Sequence, residues 1–338
     1  YSVFETDEYY SGASFIKSVK SLDLVDYASF IEVPGSSALS PLNSLNPYMF
    51  TSAADLLELC SKEKLTIGEI MKRREYCLSD KETTFRTMQN VLEVMRKETR
   101  EPLRNPQSSL GGFIGGEAQK IETSAQRYAQ SLIGSVQTDA VARAMAVLER
   151  SASMGVIVAA PTAGSAGVVP GAILAMADHL HAETEEIHDA LFCAAAIGQL
   201  LSANACVAGA EGGCQAEVGS AAAMASAALV QMIGGSPEQC FHAASITLGN
   251  LLGLVCDPIG GLVEVPCQNR NAIGIAAAFS SAQLALSGIT SLVPFDEMAH
   301  VMLEVGHALP STLRETALGG IAQAPSAKQA CRNCSACR

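Results

Sequence analysis

Hydrophobic residues recur at helical spacing along most of the chain beyond about residue 50. The stretch TFRTMQNVLEVMRKE (84–98) places its apolar side chains on one face of a helix and ends in charged residues. The stretch QTDAVARAMAVLERSASM (137–154) is again helical in pattern. These patterns predict an all-α fold, in which a compact bundle of largely buried Ala- and Gly-rich helices surrounds a functional site carried on loops.

Several residues mark where these helices begin and end. Ser52 and Asp55 form a capping-box pattern, and residues 236–238 combine an N-cap serine, a proline and a first-turn acid. Prolines and paired glycines predict a loop over residues 99–116. Further helix starts are expected at Thr184, near Asn271 and near Asp296.

The chain divides by composition into three parts. Residues 1–50 hold a predicted strand, EYYSGASFI (8–16), and a Pro/Ser/Asn-rich linker. Residues 51–322 form the predicted helical catalytic domain. Residues 323–338 are expected to be a flexible, cysteine-rich tail.

Charge and composition argue against several classes of binding partner. The formal net charge of −12 argues against nucleic acid and anionic membranes, and the absence of Trp leaves little surface for stacking bases. Two charge-free stretches, 218–237 and 272–294, approach the length of a membrane span. Their Ala, Ser, Gly and Gln content, with few flanking Lys or Arg, favours helices buried on all sides instead.

Cysteine usage indicates the compartment. The first residues are acidic and polar, unlike a signal peptide. Eleven cysteines is an odd number in a large chain, and most lie in apolar context. We therefore expect reduced thiols and a metal site in a cytoplasmic protein.

Three of the cysteines differ from the rest in their surroundings. Cys193 and Cys206 lie within helical patterns, where a cysteine is an ordinary small buried hydrophobe. Cys214, Cys256 and Cys267 instead sit beside Gly-Gly or proline breaks. Three loop thiolates without an obvious fourth ligand suggest a cluster with one open iron rather than a closed zinc site. Their spacing matches no common ferredoxin pattern, so buried apolar cysteines remain the alternative.

A glycine-rich turn is a second candidate. The stretch AAPTAGSAGVVPG (159–171) carries Thr162 and Ser165 on a turn that precedes a helix. Free backbone N–H groups at such a turn bind anions, and a carboxylate suits its size. It is neither a Walker loop nor a dinucleotide fingerprint. The alternative is a close-packed turn that merely admits a neighbouring helix.

The remaining polar groups of the apolar region need partners, because charge in a core is costly. Arg270 can clamp a carboxylate or neutralise Asp257 or Glu264. The six histidines are scattered on predicted helices and are expected to be surface or core residues.

Long strings of the chain together resemble the α, or C-terminal, domain of bacterial iron–sulfur L-serine dehydratases. The resemblance runs from about Thr51 to the end of the chain. The strings that carry it are SASMGVIVAAPTAGSAGVVPG, NACVAGAEGGCQAEVGSAAAMA, GGSPEQ, GLVCDPIGGLVEVPCQNRNAI and LRETALGG.

The resemblance implies a 4Fe–4S cluster and no pyridoxal phosphate. By family analogy Cys214, Cys256 and Cys267 hold three irons, and the fourth acts as a Lewis acid in converting L-serine to pyruvate and ammonia. The turn Thr162-Ala163-Gly164-Ser165 is then expected to bind the substrate carboxylate. Lys120 and Arg270 are weaker candidates for substrate contacts. Cys337, near the C-terminus, is the counterpart of a cysteine that caps the open iron at rest.

The resemblance also implies a β domain or β subunit, which supplies the catalytic base as a histidine and is absent from this sequence. A homo- or hetero-oligomer is expected. Two alternatives stay open. An L-cysteine desulfidase uses a related scaffold with the same open iron, and a non-catalytic iron–sulfur sensor would need no substrate turn.

Overall fold

A computed structural model describes residues 46–127, 131–334 and 336, without the side chains of 125–127 and 333. The compact unit that contains the candidate site begins at Tyr48. The predicted strand at 8–16 and Cys337 lie outside the described residues.

The described residues form thirteen α-helices and no β-strand, which confirms the all-α prediction. The helices are α1 Ala53–Glu63, α2 Ile67–Leu78, α3 Lys81–Arg104, α4 Glu117–Arg127, α5 Ser135–Ala152, α6 Val168–Leu180, α7 Thr184–Asn204, α8 Gly209–Gly212, α9 Ser220–Met232, α10 Pro237–Leu251, α11 Cys267–Leu286, α12 Phe295–Ala308 and α13 Pro325–Asn333.

Helix α9 lies at the centre of the bundle. It packs against α6, α7, α10 and α11, and every residue from Ser220 to Val230 is buried. Alanines allow this close approach because they add little bulk and lose no side-chain entropy. The hydroxyl of Thr247 on α10 donates to Ser226 at 3.0 Å, and Ser226 donates to the Ala223 carbonyl at 2.9 Å. The prediction of a helix buried on all sides is confirmed for this segment.

For the second charge-free stretch, residues 272–294, the prediction of a helix buried on all sides is wrong. Helix α11 buries Asn271, Gly274, Ile275 and Ala278, but the side chain of Ile273 is 59% exposed. One face of α11 therefore lies outside the core. No helix in the described part of the chain is long and apolar enough to cross a membrane.

The helix starts follow local capping chemistry. Ser52 accepts from the Asp55 amide at 3.0 Å and Asp55 from the Ser52 amide at 3.1 Å, so the predicted capping box is confirmed. Ser236 caps α10 in the same way, with Gln239 as its partner. Helix α7 begins at Thr184 as predicted, but Glu183 is its N-cap residue.

Three predicted boundaries move in the structure. Helix α3 continues through Pro102, so the loop predicted over residues 99–116 begins only after Arg104. Pro102 lies in the last turn of the helix, where its missing N–H removes a single hydrogen bond. Helix α11 begins at Cys267 rather than near Asn271. Residues 325–333 of the expected flexible tail form α13, which starts with a proline.

Replacement of Gly68 by Ala should destabilise the fold. A Cβ at Gly68 would collide with the Asp189 carbonyl oxygen on α7 and lie 2.7 Å from the Gln231 amide nitrogen. We expect the free energy of unfolding to fall by about 1–3 kcal/mol, as for overpacked cores. Urea unfolding followed by far-UV circular dichroism measures it.

Gly249→Ala is the matched control, because a Cβ there meets only the flexible end of Met298, at 3.2 Å. Its unfolding free energy should change by less than about 1 kcal/mol. Equal losses in the two variants would contradict the close packing of α2 on α7.

Candidate functional site

The three cysteines singled out by their sequence context are all buried. Cys214 and Cys256 are each 2% exposed, and Cys267 is 5% exposed. Cys214 precedes a π-helical turn at residues 215–219, a feature common at functional sites. Cys256 lies in an irregular segment between α10 and α11, and Cys267 is the first residue of α11.

Cys214 and Cys256 pack in one buried cluster with Val218, and both interact electrostatically with Cys267 or with each other. Burial raises the pKa of Cys214 to about 11 and that of Cys267 to about 12, and it also raises the pKa of Cys256. The pKa values of Cys256 and Cys267 are raised further by interaction with Cys214. The positive charge of Arg270 opposes the increase in the pKa of Cys214. The fold thus gathers three thiols that are far apart in sequence.

These thiols do not form a single-ion site. Within the described ranges, no group of three or more His, Cys, Asp or Glu side chains is arranged to hold one metal ion. In an iron–sulfur cluster each cysteine binds a different iron, so the sulfurs need not meet at one point. A set of three soft sulfur donors suits such a cluster better than zinc, which prefers four ligands in a structural site. The donor set therefore fits the expected group.

The backbone of Cys256 is held by a segment close to the C-terminus. Its N–H donates to the Leu313 carbonyl at 2.8 Å, and its carbonyl accepts from the Glu315 N–H at 2.7 Å. This pair forms an isolated parallel bridge between Cys256 and Arg314. The string LRETALGG (313–320) thus contributes main-chain support to the candidate site.

Asp257 joins the same segments through its side chain. Its carboxylate accepts from Arg270 at 2.7 Å and from the Ile321 N–H at 2.8 Å, and the residue is 2% exposed. A Cβ at Gly320 would clash with this carboxylate. Arg270 also donates to the Val255 carbonyl at 2.8 Å. Of the partners considered for Arg270, the structure selects Asp257.

Glu264 bonds a different segment, the loop between α3 and α4. Its carboxylate accepts from the Ser109 hydroxyl at 2.6 Å, the Gly111 N–H at 2.7 Å and the Phe113 N–H at 3.1 Å. This buried side chain therefore fixes the loop between α3 and α4 to the segment before Cys267.

Asn271 connects the glycine-rich turn to the cysteine region. Its amide nitrogen donates to the carbonyls of Gly164 and Cys267, both at 2.8 Å. Its amide oxygen accepts from the Gly167 N–H at 3.1 Å. All the hydrogen-bonding groups of this fully buried side chain hold the turn against the start of α11.

The turn offers an exposed side and a buried side. Ser165 is fully buried and lies 3.1 Å from the Thr162 hydroxyl, whereas Thr162 is partly exposed and Ala163 is exposed. The N–H groups of Ala163 and Gly164 donate no hydrogen bond to another described residue. These two amides are therefore the donors of the turn best placed to meet a ligand, because the Thr162 hydroxyl donates to the carboxylate of Glu217.

Glu217 is a residue that sequence reasoning left without a role. Its carboxylate accepts from the Thr162 hydroxyl at 2.7 Å and lies 3.8 Å from the Cys256 sulfur. Burial raises the pKa of Glu217, and the hydrogen bond from Thr162 opposes that shift. The signal was its position three residues after Cys214, on the same side of a helical turn, in an almost charge-free stretch.

Lys120 is not part of this arrangement. Its amino group pairs with Glu117 on α4 at 3.1 Å, and its side chain is 74% exposed. In the tail, Cys334 is buried and Cys331 is half-buried. Cys337 lies outside the described residues, so its predicted role as a cap stays a prediction.

Comparison with known proteins agrees with the resemblance seen in the sequence. A family model described as Serine dehydratase alpha chain matches residues 62–322. The Bacillus subtilis (strain 168) protein named "Probable L-serine dehydratase, alpha chain" is 44% identical over 283 residues, which cover 83% of this chain and 94% of the relative. The Peptoniphilus asaccharolyticus "L-serine dehydratase, alpha chain" is 43% identical over 276 residues, covering 81% and 94%.

Longer relatives are also similar. The "L-serine dehydratase 2" of Escherichia coli (strain K12) is 36% identical over 288 residues, which cover 82% of this chain but 62% of the relative. The match to the family model spans more than half of the chain and includes the turn and all three cysteines of the candidate site. The chain therefore belongs to the serine dehydratase alpha chain family.

Proposed function

We propose that this protein is a lyase that converts L-serine to pyruvate and ammonia with a 4Fe–4S cluster. The observation that carries the proposal is that three buried cysteines are connected to one turn. Cys214 packs with Cys256, Glu217 contacts both Cys256 and Thr162, and Asn271 bonds the carbonyls of Cys267 and Gly164. Two relatives that match over most of their length are named L-serine dehydratase, alpha chain, one of them as probable.

Cys214, Cys256 and Cys267 are the residues that would hold the cluster. Burial disfavours their thiolates, so binding must release their protons, and the energy of the iron–sulfur bonds opposes that cost. The positive charge of Arg270 stabilises the ionised form of Cys214. When bound, the cluster supplies a Lewis-acidic iron that makes hydroxide a feasible leaving group. The buried setting keeps water and oxygen away from it.

The turn at residues 162–165 would hold the carboxylate of the substrate. The N–H groups of Ala163 and Gly164 supply the donors. Thr162, whose hydroxyl donates to Glu217, and Ser165, which lies against Thr162 on the buried side, hold the turn in shape. Asn271 fixes the turn relative to Cys267, so the carboxylate is held in register with the reacting hydroxyl. Arg270 is engaged with Asp257 and acts on the thiolates rather than on substrate. Lys120 stays a weaker candidate for substrate contact.

The reaction removes the α-proton and the β-hydroxyl of serine. The aminoacrylate product tautomerises and hydrolyses to pyruvate and ammonia. We assign the base to a histidine of a β chain or β domain, consistent with the names of the alpha-chain relatives. We further infer a cytoplasmic location and assembly with that partner as an oligomer.

The test is anaerobic purification of the full chain, with and without its β partner, followed by optical and EPR spectra and an assay for pyruvate. We expect a cluster spectrum and pyruvate from L-serine. Sulfide release from L-cysteine without pyruvate from serine would favour a desulfidase. A cluster without turnover of serine, threonine or cysteine, with the partner present, would overturn the proposal in favour of a sensor.

The ligand assignment predicts the outcome of cysteine substitutions. Cys214→Ala, Cys256→Ala or Cys267→Ala should each abolish the cluster, because each removes one of three ligands. Cys193→Ala is the matched control, since Cys193 is fully buried but lies within α7 next to Cys240. Iron and acid-labile sulfide per chain measure the effect after anaerobic reconstitution. A full cluster in Cys256→Ala would disprove the ligand assignment.

The turn predicts a binding defect without cluster loss. Thr162→Ala and Ser165→Ala should raise the KM for serine, because a hydrogen bond to a charged group contributes about 1.5–3 kcal/mol, or roughly ten- to a hundred-fold in affinity. Thr162 bonds the Glu217 carboxylate directly, whereas Ser165 acts through Thr162, so Thr162→Ala should show the larger effect. Steady-state kinetics beside iron content measure both. Unchanged kinetics in the two variants would show that the turn has a packing role and does not bind the substrate.

The tail cysteine can be tested separately. Cys337→Ser should leave cluster assembly intact, because three other thiolates hold it, and should make the resting cluster more oxygen-sensitive. The activation lag on adding serine should shorten. Stopped-flow traces and the rate of bleaching in air measure both effects. A wild-type lag and bleaching rate, in this variant and in one that also lacks Cys331 and Cys334, would show that the tail does not cap the iron.

A further inference from the structure

We propose that Glu217 binds the α-ammonium group of the substrate, so that the site selects α-amino acids over hydroxy acids of the same shape. This inference rests on the proposed function and deepens it, since it assigns the group that recognises the substrate's positive charge. Nothing in the family comparison gives Glu217 a role.

Glu217 is a buried carboxylate without a cation. The residue is 9% exposed, and it forms no ion pair with Lys, Arg or His in the described part of the chain. The nearby Arg270 is engaged with Asp257 and with the Val255 carbonyl. A buried carboxylate without a counter-ion is costly unless a positive group arrives. The ammonium of an amino acid is such a group.

The carboxylate oxygens have capacity for the donors of an ammonium. Oε1 accepts from the Thr162 hydroxyl at 2.7 Å. Among the described residues, the single partner of Oε2 is the Cys256 sulfur, at 3.8 Å. A carboxylate can accept about four hydrogen bonds, and an ammonium offers three donors. Once Cys256 serves as a thiolate ligand it has no proton to donate, which leaves Oε2 open to the substrate.

Two glycines make room for this carboxylate. A Cβ at Gly209 would lie 2.6 Å from Oε2 and 3.1 Å from the Cys256 sulfur. A Cβ at Gly164 would lie 3.1 Å from Oε1. A larger residue at Gly209 would press on both Glu217 and Cys256. The absence of side chains at these two positions lets the carboxylate sit between the turn and the cysteine.

The neighbourhood of Glu217 suits a zwitterion. The Thr162 hydroxyl touches Glu217, and Gly164 of the same turn lies beside its carboxylate. Donors for a carboxylate and an acceptor for an ammonium are thus adjacent, as the two charged groups on one α-carbon require. A hydroxy acid carries the same carboxylate with a neutral hydroxyl in place of the ammonium, so its net negative charge would be repelled by Glu217.

The experiment compares D-serine with D-glycerate, which carries a hydroxyl in place of the ammonium. Their dissociation constants are measured by calorimetry on the cluster-loaded full chain with its β partner. The variant is Glu217→Gln, which keeps an oxygen to accept from Thr162 but removes the charge. Glu211→Gln is the matched control, because Glu211 is 53% exposed and contacts His307.

We expect the wild-type protein to prefer D-serine. In Glu217→Gln the dissociation constant of D-serine should rise roughly ten- to a hundred-fold, as for a lost hydrogen bond to a charged group. That of D-glycerate should stay the same or fall. Glu211→Gln should match the wild type. No preference in the wild type, or equal weakening of both ligands in Glu217→Gln, overturns the inference.

Two controls keep the result interpretable. Iron content and thermal unfolding show whether Glu217→Gln is folded and loaded. If it is not, Glu217→Asp replaces it: the retained charge must preserve the preference for D-serine, and loss of that preference contradicts the inference. Pyruvate formation from L-serine by the wild type tests the proposed function separately. Pyruvate without a ligand preference refutes only the role of Glu217, and a preference without pyruvate refutes only the reaction.

Discussion

The buried ion pair between Arg270 and Asp257 is the interaction on which the site depends. Asp257 follows Cys256, and Arg270 lies one helical turn after Cys267, so the pair fixes two cysteine segments together. The same guanidinium favours the ionised form of Cys214. Removing one partner of a buried pair typically destabilises by about 3–5 kcal/mol, because the other charge stays buried and unpaired. Arg270 thus both holds the segments of Cys256 and Cys267 together and favours the thiolate of Cys214.

The surrounding helices explain why such a charged site can exist here. Small residues let α9 pack closely against its four neighbours, which makes the bundle dense and excludes water. In that environment each polar group must find a partner. Asn271 meets this requirement with three hydrogen bonds, two to the glycine-rich turn and one to the Cys267 carbonyl. Rigid packing and polar satisfaction together position the thiols.

Much of the fold could be predicted from the sequence, because helical periodicity and capping residues act locally. Ser52 identified its own helix start, and the breaks around Cys214 identified an unusual cysteine. The partner of Arg270 could not be chosen, since Asp257 and Glu264 are both close in sequence and only the tertiary fold separates them. The role of Glu217 could not be predicted for the same reason, because it depends on a contact with Thr162, 55 residues away.

The bridge between Cys256 and the segment at residues 313–315 has a consequence for biogenesis. The main-chain N–H and carbonyl of Cys256 have their partners at residues 313 and 315, which come much later in the chain. A ribosome releases the chain from the N-terminus onward, and pairing across such a separation comes late. All three cysteines are synthesised before the backbone segment at residues 313–315, which aligns Cys256. The arrangement of the three cysteines is therefore complete only after residue 315 has been synthesised and has paired with Cys256.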